Sequence, residues 1–220
     1  MRVAGMVLGL VVAAGCVRLG LWQLDRHAER RAWNAQVESR LAAAPVAVTA
    51  GVAPSDIEGL TYRRARAAGV FVFVDQVTEG NKSYRGAPGV FVLTPLRFAD
   101  GTGILVNRGW TYAPDGKTAD LTPLHEADTA FVDGVLLPPT GRLAIHPDTL
   151  PVGYPLYPLV LRRVEGADSL PPGLVAAPLP ARDAGPHLSY AVQWFAFALI
   201  AVVGGALLAR RSTGAPATRN

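Results

Sequence analysis

Four histidines, one cysteine and a set of carboxylates are the side chains with which this chain could hold a metal, attack an electrophile or carry protons. His27, His125, His146 and His187 stand far apart, and none lies in an HExxH or Cys/His metal pattern. Cys16 is the only cysteine, which excludes an intramolecular disulfide and a cysteine-based metal centre. Gly101-Thr102-Gly103 sits between two strand-like runs and does not open a helix, so it is not a phosphate loop. No serine occupies a nucleophile elbow. Glu126 and Asp128 form a close carboxylate pair whose simplest reading is a solvated loop. With no catalytic constellation in view, the chain reads as a non-enzymatic protein.

Three short stretches are richer than their surroundings. Gly20-Leu21-Trp22-Gln23 ends an apolar run. Asn107-Arg108-Gly109-Trp110 ends a strand-like run. Its plain reading is a turn at Asn107 and Gly109, with Trp110 packed and Arg108 paired to a carboxylate. Its functional reading is a partner contact through Asn107, Arg108 and Trp110, with Gln23 as a further contact. His187-Leu188-Ser189-Tyr190-Ala191-Val192-Gln193-Trp194-Phe195 opens a second apolar run. At about 100° per residue, His187, Tyr190, Ala191, Trp194, Ala198, Ala201 and Gly205 share one helix face. That face is aromatic at one end and small further on. It could receive another helix or a flat apolar macrocycle, or His187 could simply begin the helix at a water boundary.

These stretches need elements to hold them. Half of the 220 residues are apolar, and the excess is concentrated at the two ends. Leu188–Ala209 contains no charged residue, and about 20 residues cross the hydrocarbon core. Tyr190 and Trp194 stand in its first turns, and Arg210 and Arg211 close it. Val3–Val17 is apolar too, and the run continues past Arg18 to Leu24. Arg18 lies about 22 Å along the helix from Val3, near the far side of a bilayer, where it can snorkel. Ala13-Ala14-Gly15-Cys16 raises a lipoprotein or cleaved signal, but the apolar run does not stop there, and a retained helix is the reading adopted. Gly5, Gly9 and Ala13 on the first helix and Ala201, Gly205 and Ala209 on the second have the small-residue spacing of packed spans. Gly and Ala are also simply common in such spans.

The expected order is a first membrane helix over 1–24, a helical extension over 25–44 with Trp33, Val37 and Leu41 on one face, a β-rich domain over 45–169, a Pro-rich linker over 170–186, a second membrane helix over 187–209 and a tail over 210–220. Strands are expected at Tyr62–Asp75, with a bulge or bend at Gly69, at Gly89–Phe98, Gly103–Arg108 and Thr129–Leu137, and at Leu156–Val164 as a Pro-limited edge. The fold class is therefore membrane α plus β: two transmembrane helices flanking one mainly antiparallel, extracytoplasmic sheet or partial barrel. The net charge of +4 gathers around the apolar ends and reads as membrane-surface charge, not as a nucleic-acid stripe. Arg210-Arg211 place both termini in the cytoplasm. No Arg/Ser-rich presequence precedes the first helix, so a bacterial inner-membrane setting is expected.

Gly20–Gln23, Gly89–Leu96 with Thr94-Pro95-Leu96, Val106–Trp110 and His187–Phe195 together resemble the surfeit-locus cytochrome c oxidase assembly-factor family. Motif order and the two-helix frame match across nearly the whole chain. Asp25–Trp33 is more acidic and Arg-rich than the family's usual continuation, and Pro138–Pro158 has no clear counterpart. The resemblance implies help in maturing or inserting heme a in oxidase subunit I, with subunit I, the heme a delivery machinery and membrane lipid as partners. It also implies a histidine at the start of the second helix as a heme iron ligand, a place held here by His187. On that reading Trp22, Tyr190 and Trp194 line the macrocycle, and Arg18 or Arg182 meets a propionate. The contrasting class is a membrane-anchored sensor or binding domain, which requires a cytoplasmic signalling segment.

Overall fold

The computed structural model describes residues 2–49, 57–139, 145–164, 170–180 and 182–211. The tail beyond residue 211 and Pro-rich-region residues 140–144 therefore lie outside the described residues. The chain divides into two compact units, residues 1–36 with 181–220, and residues 37–180.

The first unit is a helix pair. α1 spans Arg2–Ala42, so the expected membrane helix and its extension are one unbroken helix. No proline interrupts it, and after Arg2 charged residues enter only with Arg18 and then from Asp25 onward. A short α2, Ile57–Leu60, belongs to the other unit, and α3 spans His187–Arg211. Val3–Ala42 and His187–Arg210 are long and apolar enough to cross a membrane, and most of each apolar window is exposed. The small residues form the seam between the two helices. Ala13, Cys16 and Ala198 are buried together, with Trp194 and Ala201 packed against them. A Cβ on Gly9 would stand 2.9 Å from the Ala201 carbonyl oxygen, a backbone approach that only glycine permits. Of the two readings of the small-residue spacing, the packed seam is the one observed.

The second unit is a seven-stranded sheet. Its strands are β1 Val46–Val48, β2 Arg64–Phe71, β3 Val77–Tyr84, β4 Ala87–Arg97, β5 Gly103–Tyr112, β6 Thr129–Leu137 and β7 Leu156–Arg163. Their order is β1-β2-β6-β7-β5-β4-β3, with an additional β2–β4 pairing. That pairing, Val70 with Arg97 and Phe71 with Leu96, closes β2, β6, β7, β5 and β4 into a small barrel. β1–β2 and β5–β7 are parallel and the other pairs antiparallel. The barrel is filled from alternate positions of its strands, among them Ala65, Ala67, Leu96, Ile104, Val106, Leu136, Leu159 and Leu161. β5 is buried on both faces, because Leu105 packs outward with Leu93 and Val160 in a second cluster.

Three expectations change. Gly69 is not at a bulge: β2 runs in register with β6 through it, and a Cβ there would lie 2.4 Å from the Arg97 carbonyl oxygen, where β2 leans onto β4. β7 is not an edge, since β5 and β6 flank it. Its pairing with β6 begins only at Val160, and its register with β5 shifts before that point, so Pro158 sits where the missing N–H is tolerated. The Pro-rich stretch after residue 170 is not a free linker throughout. Val175 bridges Trp110, Leu174 and Ala177 are buried, and the Arg162 Nη1 donates to the Pro178 carbonyl at 2.9 Å.

Candidate functional site

α3 begins abruptly, and its first turn fixes the histidine. Pro186 precedes it; the Tyr190 N–H and the Ser189 hydroxyl both donate to the Pro186 carbonyl, at 3.1 and 2.7 Å. Proline suits a helix start, where its missing N–H would have no intrahelical partner. Gly185, at φ +66°, turns the chain into that start. A Cβ on Gly185 would come within 3.3 Å of the His187 Nε2, so glycine also leaves that nitrogen approachable. His187 itself is half-buried, and its Nδ1 lies 2.9 Å from Gln23 Oε1 on α1. With the Gln23 carbonyl turned toward the ring, Nδ1 is the donor and, in the neutral ring, Nε2 keeps its lone pair.

An open groove of about 330 Å³ adjoins this histidine, lined by Arg26, Glu29, Arg30, Trp33 and His187. Arg26 Nη2 pairs with Glu29 on the same helix. Arg30 Nε donates to the Asp183 carbonyl at 3.4 Å, and Asn34 Nδ2 donates to the Arg182 and Asp183 carbonyls at 3.3 and 3.0 Å. The chain entering α3 is thus tied to α1 by backbone acceptors, which hold Gly185 and His187 in place. The groove carries one net positive charge from Arg26, Glu29 and Arg30. Among the described residues no three His, Cys, Asp or Glu side chains come together to hold a bare metal ion.

Of the expected companions of His187, none lines this groove. Trp194 packs in the helix seam with Ala13, Cys16 and Ala198, and its ring meets Phe197 edge-on. Tyr190 is exposed and does not line the groove. Trp22 lies four residues before Arg26 on the same flank of α1, about 6 Å nearer the apolar run, and is outside the lining. Arg18 is exposed another turn down, about 7.5 Å below Gln23, and Arg182 reaches the groove region through its carbonyl. Arg26, Glu29, Arg30 and Trp33 are the α1 residues that line the groove beside His187. Their signal was in the sequence: Gln23, Arg26, Arg30 and Trp33 follow one another at i, i+3, i+7 and i+10. Arg26 and Arg30 look like ordinary membrane-flanking charge until His187 is set beside them.

Asn107, Arg108 and Trp110 are buried inside the sheet unit. Arg108 is the extra residue of a β-bulge, since Val92 pairs with Gly109 while Leu93 pairs with Asn107. Asn107 Oδ1 accepts the Gly109 N–H at 3.1 Å across the bulge. Gly109 takes φ +144°, and a Cβ there would lie 2.5 Å from the Val175 carbonyl oxygen. The bulge aims the fully buried Arg108 at Glu126, with Nε donating to Oε1 at 2.8 Å, and at the Leu124 carbonyl. Its guanidinium lies over the Phe71 and Phe73 rings at 5.4 and 5.1 Å. Burial lowers the Arg108 pKa, and the hydrogen bond to Glu126 opposes that shift. Glu126 also accepts two bonds from Arg163 Nη1, each 2.9 Å. The carboxylate expected in a solvated loop instead holds two buried guanidiniums. The Gln23 side chain, expected as a partner contact, lies 2.9 Å from His187 Nδ1.

A family model described as the SURF1 family matches residues 10–199, which contain all four of the short motifs. A SURF1-like protein of Monosiga brevicollis is 24% identical over 218 residues, 88% of this chain and 83% of its own length. A SURF1-like protein of Mycobacterium tuberculosis is 26% identical over 224 residues, 93% of this chain and 83% of its own. A Saccharomyces cerevisiae protein named as a cytochrome oxidase assembly protein is 28% identical over 144 residues, 62% of this chain but 37% of its own length. With the match running through both helices and the sheet unit, the chain belongs to the SURF1 family.

Proposed function

We propose that this protein is a membrane-bound assembly factor for cytochrome c oxidase that receives heme a at the start of α3 on its way into subunit I. α1 and α3 cross the bacterial inner membrane, both termini are cytoplasmic and the sheet unit is extracytoplasmic. The exposed apolar windows of the two helices support the membrane placement. The yeast relative's name supports the oxidase connection.

The observation that carries the heme reading is the Gln23–His187 hydrogen bond. Metal-bound histidines usually donate their second ring N–H to an acceptor that fixes the tautomer, and Gln23 supplies that acceptor. The residues present fit the group: one imidazole with a lone pair at Nε2, two guanidiniums able to meet propionates, and an indole beside them. The macrocycle is the cargo and supplies the redox centre of the enzyme that receives it. This chain's residues only bind and orient it. The groove is too open to enclose a macrocycle, which suits a cargo that must leave. The role proposed is that of a chaperone.

The test is to purify the protein from cells that make heme a and record its absorption spectrum beside His187→Ala and Gln23→Leu. A heme spectrum that collapses in the first variant and weakens or shifts in the second is expected. Identical spectra, or none in the wild type, would remove the ligand role.

A further inference from the structure

We propose that Arg26 and Arg30 recognise carboxylates in the groove beside His187 and that Trp33 is its aromatic wall, so the ligand is a planar aromatic ring with carboxylates along one edge. This rests on the reading of His187 as a ligand to an iron macrocycle and adds what determines which macrocycle is held. Arg26 and Arg30 are four residues apart on α1, hence about 6 Å apart along one flank. Trp33 is the next groove residue, and His187 faces the same space from α3. Both arginine side chains are exposed. Arg26 spends one terminal nitrogen on Glu29, and Arg30 makes only a long Nε contact to Asp183. Each guanidinium has five donors in a planar fork that matches a carboxylate. Measured from Val3, this stretch begins about 34 Å along α1, beyond a hydrocarbon core of about 30 Å. A ligand bound there can keep its acidic edge at the polar boundary while its ring reaches toward Trp22 and the apolar run. A lipid phosphate would satisfy the arginines alone. It would give no use to a histidine whose Nδ1 is held by Gln23.

The full chain in detergent micelles is titrated with iron protoporphyrin as the free diacid and as its dimethyl ester, which keeps the ring and the iron but loses the charges. The wild type is expected to prefer the diacid by about tenfold, the scale of a pair of charge-assisted contacts at a half-open site. Arg26→Gln/Arg30→Gln should lose that preference while binding the ester as the wild type does, and Arg26→Lys/Arg30→Lys should keep part of it. His187→Ala should weaken both ligands and change the spectrum. Equal affinity of the wild type for both forms, or a glutamine double variant that still prefers the diacid, would overturn the inference while leaving the His187 reading intact. The inference also fails if the double variant loses only binding to vesicles of anionic phospholipid, which would make the arginines a lipid anchor. A wild type that binds neither form, or whose spectrum ignores His187→Ala, overturns both readings together.

Discussion

Gly20→Leu should uncouple His187 from its orienting partner. Gly20 is buried in the helix seam, and a Cβ there would stand 2.6 Å from Cε1 and 2.8 Å from Cζ of Phe195. Ordinary carbon contacts are about 3.5–4.0 Å, so even one added carbon requires a displacement of about 1 Å. Alanine can be absorbed in part by a swing of the ring, but leucine adds three further carbons and must push the helices apart. Overpacking of this kind costs about 1–3 kcal/mol. Gln23 is one turn beyond Gly20, and its bond to His187 is 2.9 Å long. Such bonds extend to about 3.2 Å, so a displacement near 1 Å breaks it. Loss of the partner that orients a metal ligand typically lowers metal affinity about 10–100-fold. The assay is an absorbance titration of the full chain in detergent with iron protoporphyrin. Gly20→Leu should fall in that range, Gly20→Ala should fall less, and Phe195→Ala should restore much of the loss. Gly15 supplies the control, because nothing lies within 4 Å of a Cβ there and Gly15→Leu should bind as the wild type does. A Gly20→Leu protein indistinguishable from Gly15→Leu would show that the helix seam does not hold Gln23 against His187.

Glu126→Ala strips the counter-charge from the buried Arg108 and Arg163 and should destabilise the sheet unit by about 3–5 kcal/mol, lowering its melting temperature by roughly 10 °C or more in circular dichroism. A drop of only a degree or two would show that the cluster is not held as described. Gly109→Ala should loosen the Val175 segment, because the residue must keep φ +144° and find room against a backbone oxygen. Faster hydrogen exchange at the Trp110 and Val175 amides, which bond each other's carbonyls at 2.7 and 2.8 Å, reports it. Asp115 accepts the Thr118 hydroxyl and the N–H groups of Thr118 and Lys117, which lower its pKa from the usual 3.8 to about 2. Its contribution to stability is therefore present above about pH 4 and is lost as the pH falls toward 2. A carboxyl titration followed by NMR should find that midpoint, and Thr118→Val should raise it.

Hydropathy and turn chemistry made much of this fold legible. The uncharged run from Leu188 to Ala209 marked α3, and Asp100-Gly101 marked the β4–β5 turn, where Asp100 Oδ1 accepts the Thr102 N–H. β6 has the bounds its alternation indicates. β3 was illegible for a physical reason. Its sequence Val-Thr-Glu-Gly-Asn-Lys-Ser-Tyr is polar, and its alternation breaks at a bulge where Asn81 adopts φ +57°. β7 misread as an edge because prolines suggest edges, whereas the register shift that accommodates Pro158 depends on strands distant in sequence. The same limit governed the candidate site. His187 and Gln23 stood out in their own motifs, but their hydrogen bond joins residues 164 positions apart. Arg26 and Arg30 gained meaning only once α3 was set beside α1. Arg108 shows the reverse case. A conspicuous Arg-Gly-Trp motif suggests an exposed contact, and a one-residue bulge turns that arginine inward.

A role in oxidase assembly is tested in the cell that makes this protein. Its gene is deleted, and oxidase activity and the heme a content of subunit I are measured with wild-type, His187→Ala or no protein supplied in trans. Deletion should lower both quantities, the wild type should restore them, and His187→Ala, present in the membrane at the wild-type level, should not. Normal heme a content and activity in the deletion strain would contradict it.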